Sequence, residues 1–180
     1  MKYNISLSKL FLLLIAIAIY AIVLFFLSKK KNKRHIYNIN LSKKLLIKIN
    51  SFSNSGQKIN YLRKINPFVF EELLLSAFEK KGYQIKRNKK YTGDGGVDGI
   101  VFKEKQKYLI QAKRYSSYIN LSDLKKFEQL IIKKQCKGFF IHTGKTGNKT
   151  YTNFNSKIIS IISGNKLIDL LNPNHIMSDF

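Results

Sequence analysis

"YTGDGGVDGIVFKEKQKYLIQAKRY", Tyr91–Tyr115, is the stretch on which the fold turns. It sets two aspartates in a glycine-rich turn, in a chain with 33 Lys and Arg but only 10 Asp and Glu. A solvated turn needs one Asp or Asn, not two. After the turn, "VDGIVF" reads as a strand, "KEKQ" as a polar turn and "KYLIQAK" as the second strand of a hairpin. Side chains two apart on a strand share a face. Gln111 and Lys113 therefore point one way, and Ile110 and Ala112 the other. A half-buried strand gains nothing from burying a lysine. Asp98 enters the first strand, and Gly95, Gly96 and Gly99 leave room beside it for a ligand or another backbone.

On either side of this hairpin the chain alternates helix and strand. Pro67 suits the first turn of a helix, with Glu71 and Glu72 favoured by its positive end. Phe70, Leu73, Leu74, Ala77 and Phe78 recur at helical spacing, and Gly82 stops the helix. "YQIKR" alternates as a short strand. "LSDLKKFEQLIIKKQ" is a helix with Ser122 as its cap, "GFFIHT" and "KIISIIS" are apolar strands, and "NKLIDLL" closes as a short helix. The order α-β-β-β-α-β-(α)-β-α describes an α/β domain, a mixed central sheet with helices on both faces.

The first 65 residues differ in kind. Leu10–Leu27 is apolar all round, 18 residues without a charge. As a helix it extends about 27 Å, close to a hydrocarbon core of about 30 Å. It is too long for the apolar region of a cleaved signal peptide. Lys29, Lys30, Lys31, Lys33 and Arg34 follow it, against Lys2 and Lys9 before it, so a single-pass helix would leave the C-terminal domain facing the cytoplasm. The expected division is an anchor with a basic flank at 1–34, a linker at 35–65 and the α/β domain at 66–180. "INSFSNSGQKIN" supports the linker, and "INLSKKLLIKI" before it could form a short surface helix capped by Ser42.

Composition narrows the function. A formal net charge of +23 self-repels, and makes sense against a polyanion: nucleic acid or an anionic membrane face. A general bias towards Lys and Asn accounts for some of the charge but not for the shortage of acids. The single Cys136 excludes a disulfide framework and reads as a small apolar residue packed before a strand. His35, His142 and His175 lack metal-ligand spacing, and His142 reads as a packed strand end. "GKTGNKT" lacks the spacing of a phosphate-binding P-loop. Its Lys145 and Lys149 form a basic loop that either contacts DNA phosphate or is simply solvated. Arg114, with Tyr115 and Tyr118, could track a phosphate backbone or form a solvated face.

A carboxylate at a strand entry, with a lysine on the neighbouring strand, fits phosphodiester cleavage. Asp98 would hold a hard divalent cation through oxygen. Lys113 would orient or deprotonate the attacking water and offset phosphate charge. Glu71 could add a second carboxylate if its helix packs beside the hairpin. The structural alternative makes Asp98 a turn residue paired at the surface with Lys113.

Four separated blocks, "NPFVFEELLLSAFEKKGYQI", "GDGGVDGIVF", "YLIQAKRY" and "GFFIHTG", resemble the Mrr-like catalytic domain of type IV restriction endonucleases, within the PD-(D/E)xK nuclease superfamily. The resemblance spans Asn66 to Leu171. It implies a restriction-endonuclease-like fold and Mg²⁺-dependent hydrolysis of DNA, with Mn²⁺ as a substitute. Asp98, with Asp94 upstream, matches the family aspartate and would ligate the metal, helped by Glu71 and the backbone carbonyl of Ala112. Lys113 would be the catalytic lysine, and Gln111 would stand where many relatives carry a carboxylate. Ala112 replaces a cysteine common in the family. Several relatives have a separate DNA-reading domain where this chain has the apolar helix. The expected function is a membrane-anchored DNA endonuclease in restriction of foreign or modified DNA. The alternatives are a catalytically silent tethered DNA-binding module and a nuclease acting on repair or recombination intermediates. The expected partners are DNA and membrane lipid around the N-terminal helix, with homodimerisation left open.

Overall fold

The structure is a computed structural model and describes residues 7–88, 96–154 and 158–175. Asp94 and Gly95 lie outside the described residues. Two compact units divide the chain, Met1–Asn38 and Ile39–Phe180.

In the first unit, helix α1 (Leu7–Ser51) begins and carries the apolar run. From Leu10 to Leu27 the large apolar side chains are all exposed, as suits a helix with no polar stripe. Its most apolar 18-residue window has a mean hydropathy of 3.2, long and apolar enough to cross a membrane.

The second unit holds the rest of α1, then α2 (Ser55–Lys64), α3 (Pro67–Lys80), β1 (Gln84–Arg87), β2 (Gly99–Lys103), β3 (Gln106–Lys113), α4 (Leu121–Lys133), β4 (Lys137–His142), α5 (Asn148–Phe154), β5 (Ile159–Ile162) and α6 (Asn165–Leu171). From α3 onward this is the order expected from the sequence. Strand order follows the chain, β1-β2-β3-β4-β5. The first three strands are antiparallel. β3, β4 and β5 run parallel, joined by α4 and α5 as crossovers.

Local chemistry sets the element ends. The Asn66 side chain accepts the Phe68 N–H and Pro67 occupies the first helical turn, so α3 starts there. It ends at Lys81 before Gly82, whose φ of +82° an L side chain rarely adopts. The β2–β3 hairpin turns at Glu104 and Lys105, both left-handed at φ 50° and 67°, the twist that matches flanking strands. The cap of α4 is Asn120, which accepts the Ser122 N–H; Ser122 itself lies inside the helix.

Two apolar layers flank the sheet. On one face Phe70, Leu73, Leu74 and Phe78 of α3 pack with Val101, Ile110, Phe139 and the leucines of α6. On the other, Leu124, Phe127 and Ile131 of α4 pack with Leu109, Phe140, Ile161 and Cys136.

The expected linker is the main departure. Within residues 39–65, Leu46, Ile49 and Leu62 are at most 2% exposed and belong to the α3-side core. Ser42 caps nothing: it is buried in mid-helix, its Oγ 3.2 Å from Ser76 Oγ. Asn50 donates to the Leu171 carbonyl at 2.9 Å, tying α1 to α6. The segment is a structural part of the domain, so the domain begins near Ile39 rather than at Asn66.

Candidate active site

The β2–β3 ladder ends at the pair Gly99–Ile110, while β3 runs on to Lys113 against β4 alone. Asp98 stands where the ladder ends. Its N–H donates to the Ile110 carbonyl at 2.8 Å, and its Oδ2 accepts the Ala112 N–H at 2.6 Å. The carboxylate thus takes the place of a strand partner and is fixed to β3 by a charge-assisted bond. Beside it, Gln111 is 9% exposed, and among the described residues no donor reaches its Oε1. The next residue on that face is Lys113, half-buried.

The main chain of β3 serves both neighbours. Thr143 of the β4 end donates its N–H to the Lys113 carbonyl at 3.2 Å. Carbonyls alternate along a strand, so that of Ala112 turns to the β2 side, where Asp98 lies.

Two contacts bracket Glu71. At its start, α3 is held to the β3 end through Arg114, which donates to the Ile65 carbonyl. One turn past Glu71, Leu75 packs over Gly99, where an added Cβ would sit 2.5 Å from Leu75 Cδ2. Glu71 is therefore half-buried near the Asp98 end of the hairpin, on the α3 side. Gln111 and Lys113 share the other face with Leu109. The adjacent Glu72 is 2% exposed and bound to Arg87 Nε at 2.9 Å, which makes it structural.

Several expectations are corrected here. Gly99 makes room for Leu75, and Gly96 for the Gln111 amide, whose Nε2 would lie 2.9 Å from an added Cβ; neither space is open to a ligand. Arg114 does not form a solvated face. Its Nη1 donates to the Arg63 carbonyl at 3.0 Å and to that of Ile65, closing the end of α2. Lys145 is exposed after β4, in the expected loop. Lys149 is exposed too, but on the first turn of α5 rather than in a loop. His142 is fully buried as expected, and burial pulls its pKa down to about 4.

Arg63 was not legible in the sequence. Its Nε and Nη2 donate to the Thr143 carbonyl at 3.2 and 2.9 Å, bracing the loop behind Lys113. Eighty residues separate the partners, and no local pattern joins them.

Among the described residues no three His, Cys, Asp or Glu side chains gather as a metal cage. The oxygens present still suit a hard cation. Mg²⁺ binds through one or two carboxylates and keeps several waters. Asp98 is an oriented carboxylate, and the Gln111 Oε1 is a buried acceptor with no described donor. Such an acceptor is costly unless something positive meets it.

Asp98 and Lys113 thus stand on adjoining strands at one end of a mixed sheet between helical layers, a restriction-endonuclease-like fold. Residues 62–171 match the family Mrr_cat, described as restriction endonuclease, and the chain belongs to that family. The type IV methyl-directed restriction enzyme EcoKMrr of Escherichia coli (strain K12) is 27% identical over 131 residues, 68% of this chain. The match covers 43% of that relative, so the chain spans less than half its length. Among solved structures, the MspJI restriction endonuclease in complex with a 27-mer oligonucleotide aligns over 65% of this chain and 31% of its own, with a TM-score of 0.48 and 20% identity.

Proposed function

We propose that the protein is a membrane-anchored endonuclease that hydrolyses phosphodiester bonds of DNA with Mg²⁺. One observation carries the reading: the Asp98 carboxylate is locked onto Ala112 of β3, beside the buried Gln111 Oε1 and on the strand that bears Lys113. A pure binder has no use for an acid facing phosphate. The net charge of +23 supports DNA as the substrate. The name of the Escherichia coli relative supports a role in restriction of foreign or modified DNA.

In this reading Asp98, Gln111 and the Ala112 carbonyl hold the cation, with Glu71 from α3. Mn²⁺ can take its place. When bound, the metal supplies Lewis-acid polarisation of a phosphoryl oxygen. Lys113 orients the attacking water, accepts or relays its proton, and offsets the charge that grows on the phosphate. The Ala112 N–H keeps Asp98 in one rotamer, so the carboxylate is preorganised.

The test uses the full chain in detergent micelles with supercoiled plasmid, methylated and unmethylated, with Mg²⁺ or with chelator. Cleavage should need the metal. Lys113→Ala and Asp98→Ala should each lower it by about 10²–10⁴-fold. Lys113→Ala keeps most DNA binding, since one positive charge among many is lost. If both variants cut as fast as the parent, this hairpin is not the active site. A parent that binds DNA but never cuts, with Mg²⁺ or Mn²⁺, is a tethered binding module instead.

A further inference from the structure

The carboxyl ends of β3, β4 and β5 lie along one edge of the sheet, because the three strands are parallel. Lys113 ends the first and pairs in register with His142 at the end of the second. Just beyond β4 and β5 is an open cleft of about 690 Å³, with Lys145, Thr146, Tyr151, Ser163 and Lys166 in its lining. Ligands of open α/β sheets settle outside such strand ends.

The hydrogen bonds under this cleft have a direction. Gly144 N–H donates to His142 Nδ1 at 3.1 Å, so that nitrogen is an acceptor. A neutral imidazole then carries its proton on Nε2. Nε2 lies 3.0 Å from Thr146 Oγ1 and donates to it. The Thr146 hydroxyl lies 2.8 Å from Ser163 Oγ, and Ser163 Oγ lies 3.3 Å from the Tyr151 hydroxyl, each pair within hydrogen-bond reach. Thr146, Ser163 and Tyr151 thus set a row of hydroxyls in the lining of the cleft, each able to donate. Burial keeps His142 neutral well below neutral pH, so its Nε2 stays a donor to Thr146. Two lysines stand in the lining, and no described lining residue is acidic. A cleft of donors and cations selects an oxyanion.

We infer that this cleft holds a second DNA phosphate, on the same strand as the scissile one, with Lys145 and Lys166 neutralising it and the Tyr151 hydroxyl donating to it. The distance fits: neighbouring strands lie about 4.8 Å apart, so the cleft is one to two strand spacings from Lys113, the range of the next nucleotides. The inference rests on the nuclease reading of Asp98 and Lys113. It assigns Tyr151 and Lys166 a task that no sequence motif marks.

The experiment measures binding by the full chain in detergent, without divalent metal, to duplexes that carry one uncharged methylphosphonate moved stepwise from the cut. At one flanking position the parent should bind about tenfold more weakly. The double variant Lys145→Ala/Lys166→Ala should bind unmodified DNA more weakly and lose all sensitivity at that position. Tyr151→Phe, which removes one hydroxyl and leaves the ring, should show a smaller loss at the same position. Unchanged sensitivity in the double variant overturns the assignment. Inorganic phosphate is the second probe, followed by phosphorus NMR. If it binds the cleft as tightly as the DNA site does, the cleft is a free-anion pocket, which also overturns it. A parent that cuts plasmid but reads no flanking phosphate through these residues loses the cleft and keeps the nuclease. A parent that reads the flanking phosphate yet never cuts loses the nuclease and keeps the cleft.

Discussion

Lys113 and His142 stand side by side in the β3–β4 register, yet their environments differ. Lys113 is half-buried at the end of its strand, whereas His142 is fully buried, its Nδ1 accepting the Gly144 N–H. Burial lowers the folded-state pKa of His142 to about 4, against an ordinary value of 6.5. Between those values the unfolded chain binds a proton that the folded chain refuses. Stability is therefore complete above the ordinary value and declines as pH falls towards 4, by about 3 kcal/mol from this residue. Urea unfolding of the parent and of His142→Gln, at neutral and at acid pH, should show the smaller acid loss in the variant. Equal losses would place the pH dependence in other groups. Asp98, Gln111 and Lys113 were legible in the sequence because a two-residue period and a glycine turn fix their positions locally. Which of Glu71 and Glu72 is structural was not, since that depends on Arg87 reaching across from β1.

At the scale of elements, the hairpin, the crossover helix α4 and the apolar strands announced themselves through periodicity and turn residues. Residues 39–65 did not. Their Ser, Asn and Gly content reads as linker, and their fully buried apolar side chains are only Leu46, Ile49 and Leu62, too sparse to make a stripe. Two arginines complete the attachment: Arg114 closes α2, and Arg63 of α2 holds Thr143. Deleting a buried leucine side chain commonly costs about 2–5 kcal/mol, and whole-domain stability is about 5–15 kcal/mol. A chain lacking residues 1–38 should thus unfold cooperatively, while one lacking 1–65 should not fold. Leu62→Ala alone should cost about 3 kcal/mol. A cooperative urea transition for residues 66–180, with the midpoint of the longer chain, would show that the segment is dispensable.

For the whole molecule, 18 uncharged residues and the basic run behind them act together. An exposed apolar helix in water is a liability; across a bilayer it is an anchor. In the proposed anchored protein, the positive flanking residues would keep the C-terminal side in the cytoplasm, where DNA and Mg²⁺ are available. The full chain should stay in the membrane fraction through high-salt and carbonate washes, and the chain without residues 1–38 should not. Release of the full chain by salt alone would mean adhesion by charge rather than a spanning helix.

β3 is the one strand of the sheet with an antiparallel neighbour on one side and a parallel neighbour on the other. A slip of one residue would turn Gln111 and Lys113 to the opposite face and bring Ile110 and Ala112 in their place. The tight turn at Glu104–Lys105 forbids that slip from one side, and the crossover through α4 forbids it independently from the other. The alignment of β3 is thus written twice, like a message with a checksum. An error in either copy is contradicted by the other before Lys113 can face the wrong side of the sheet.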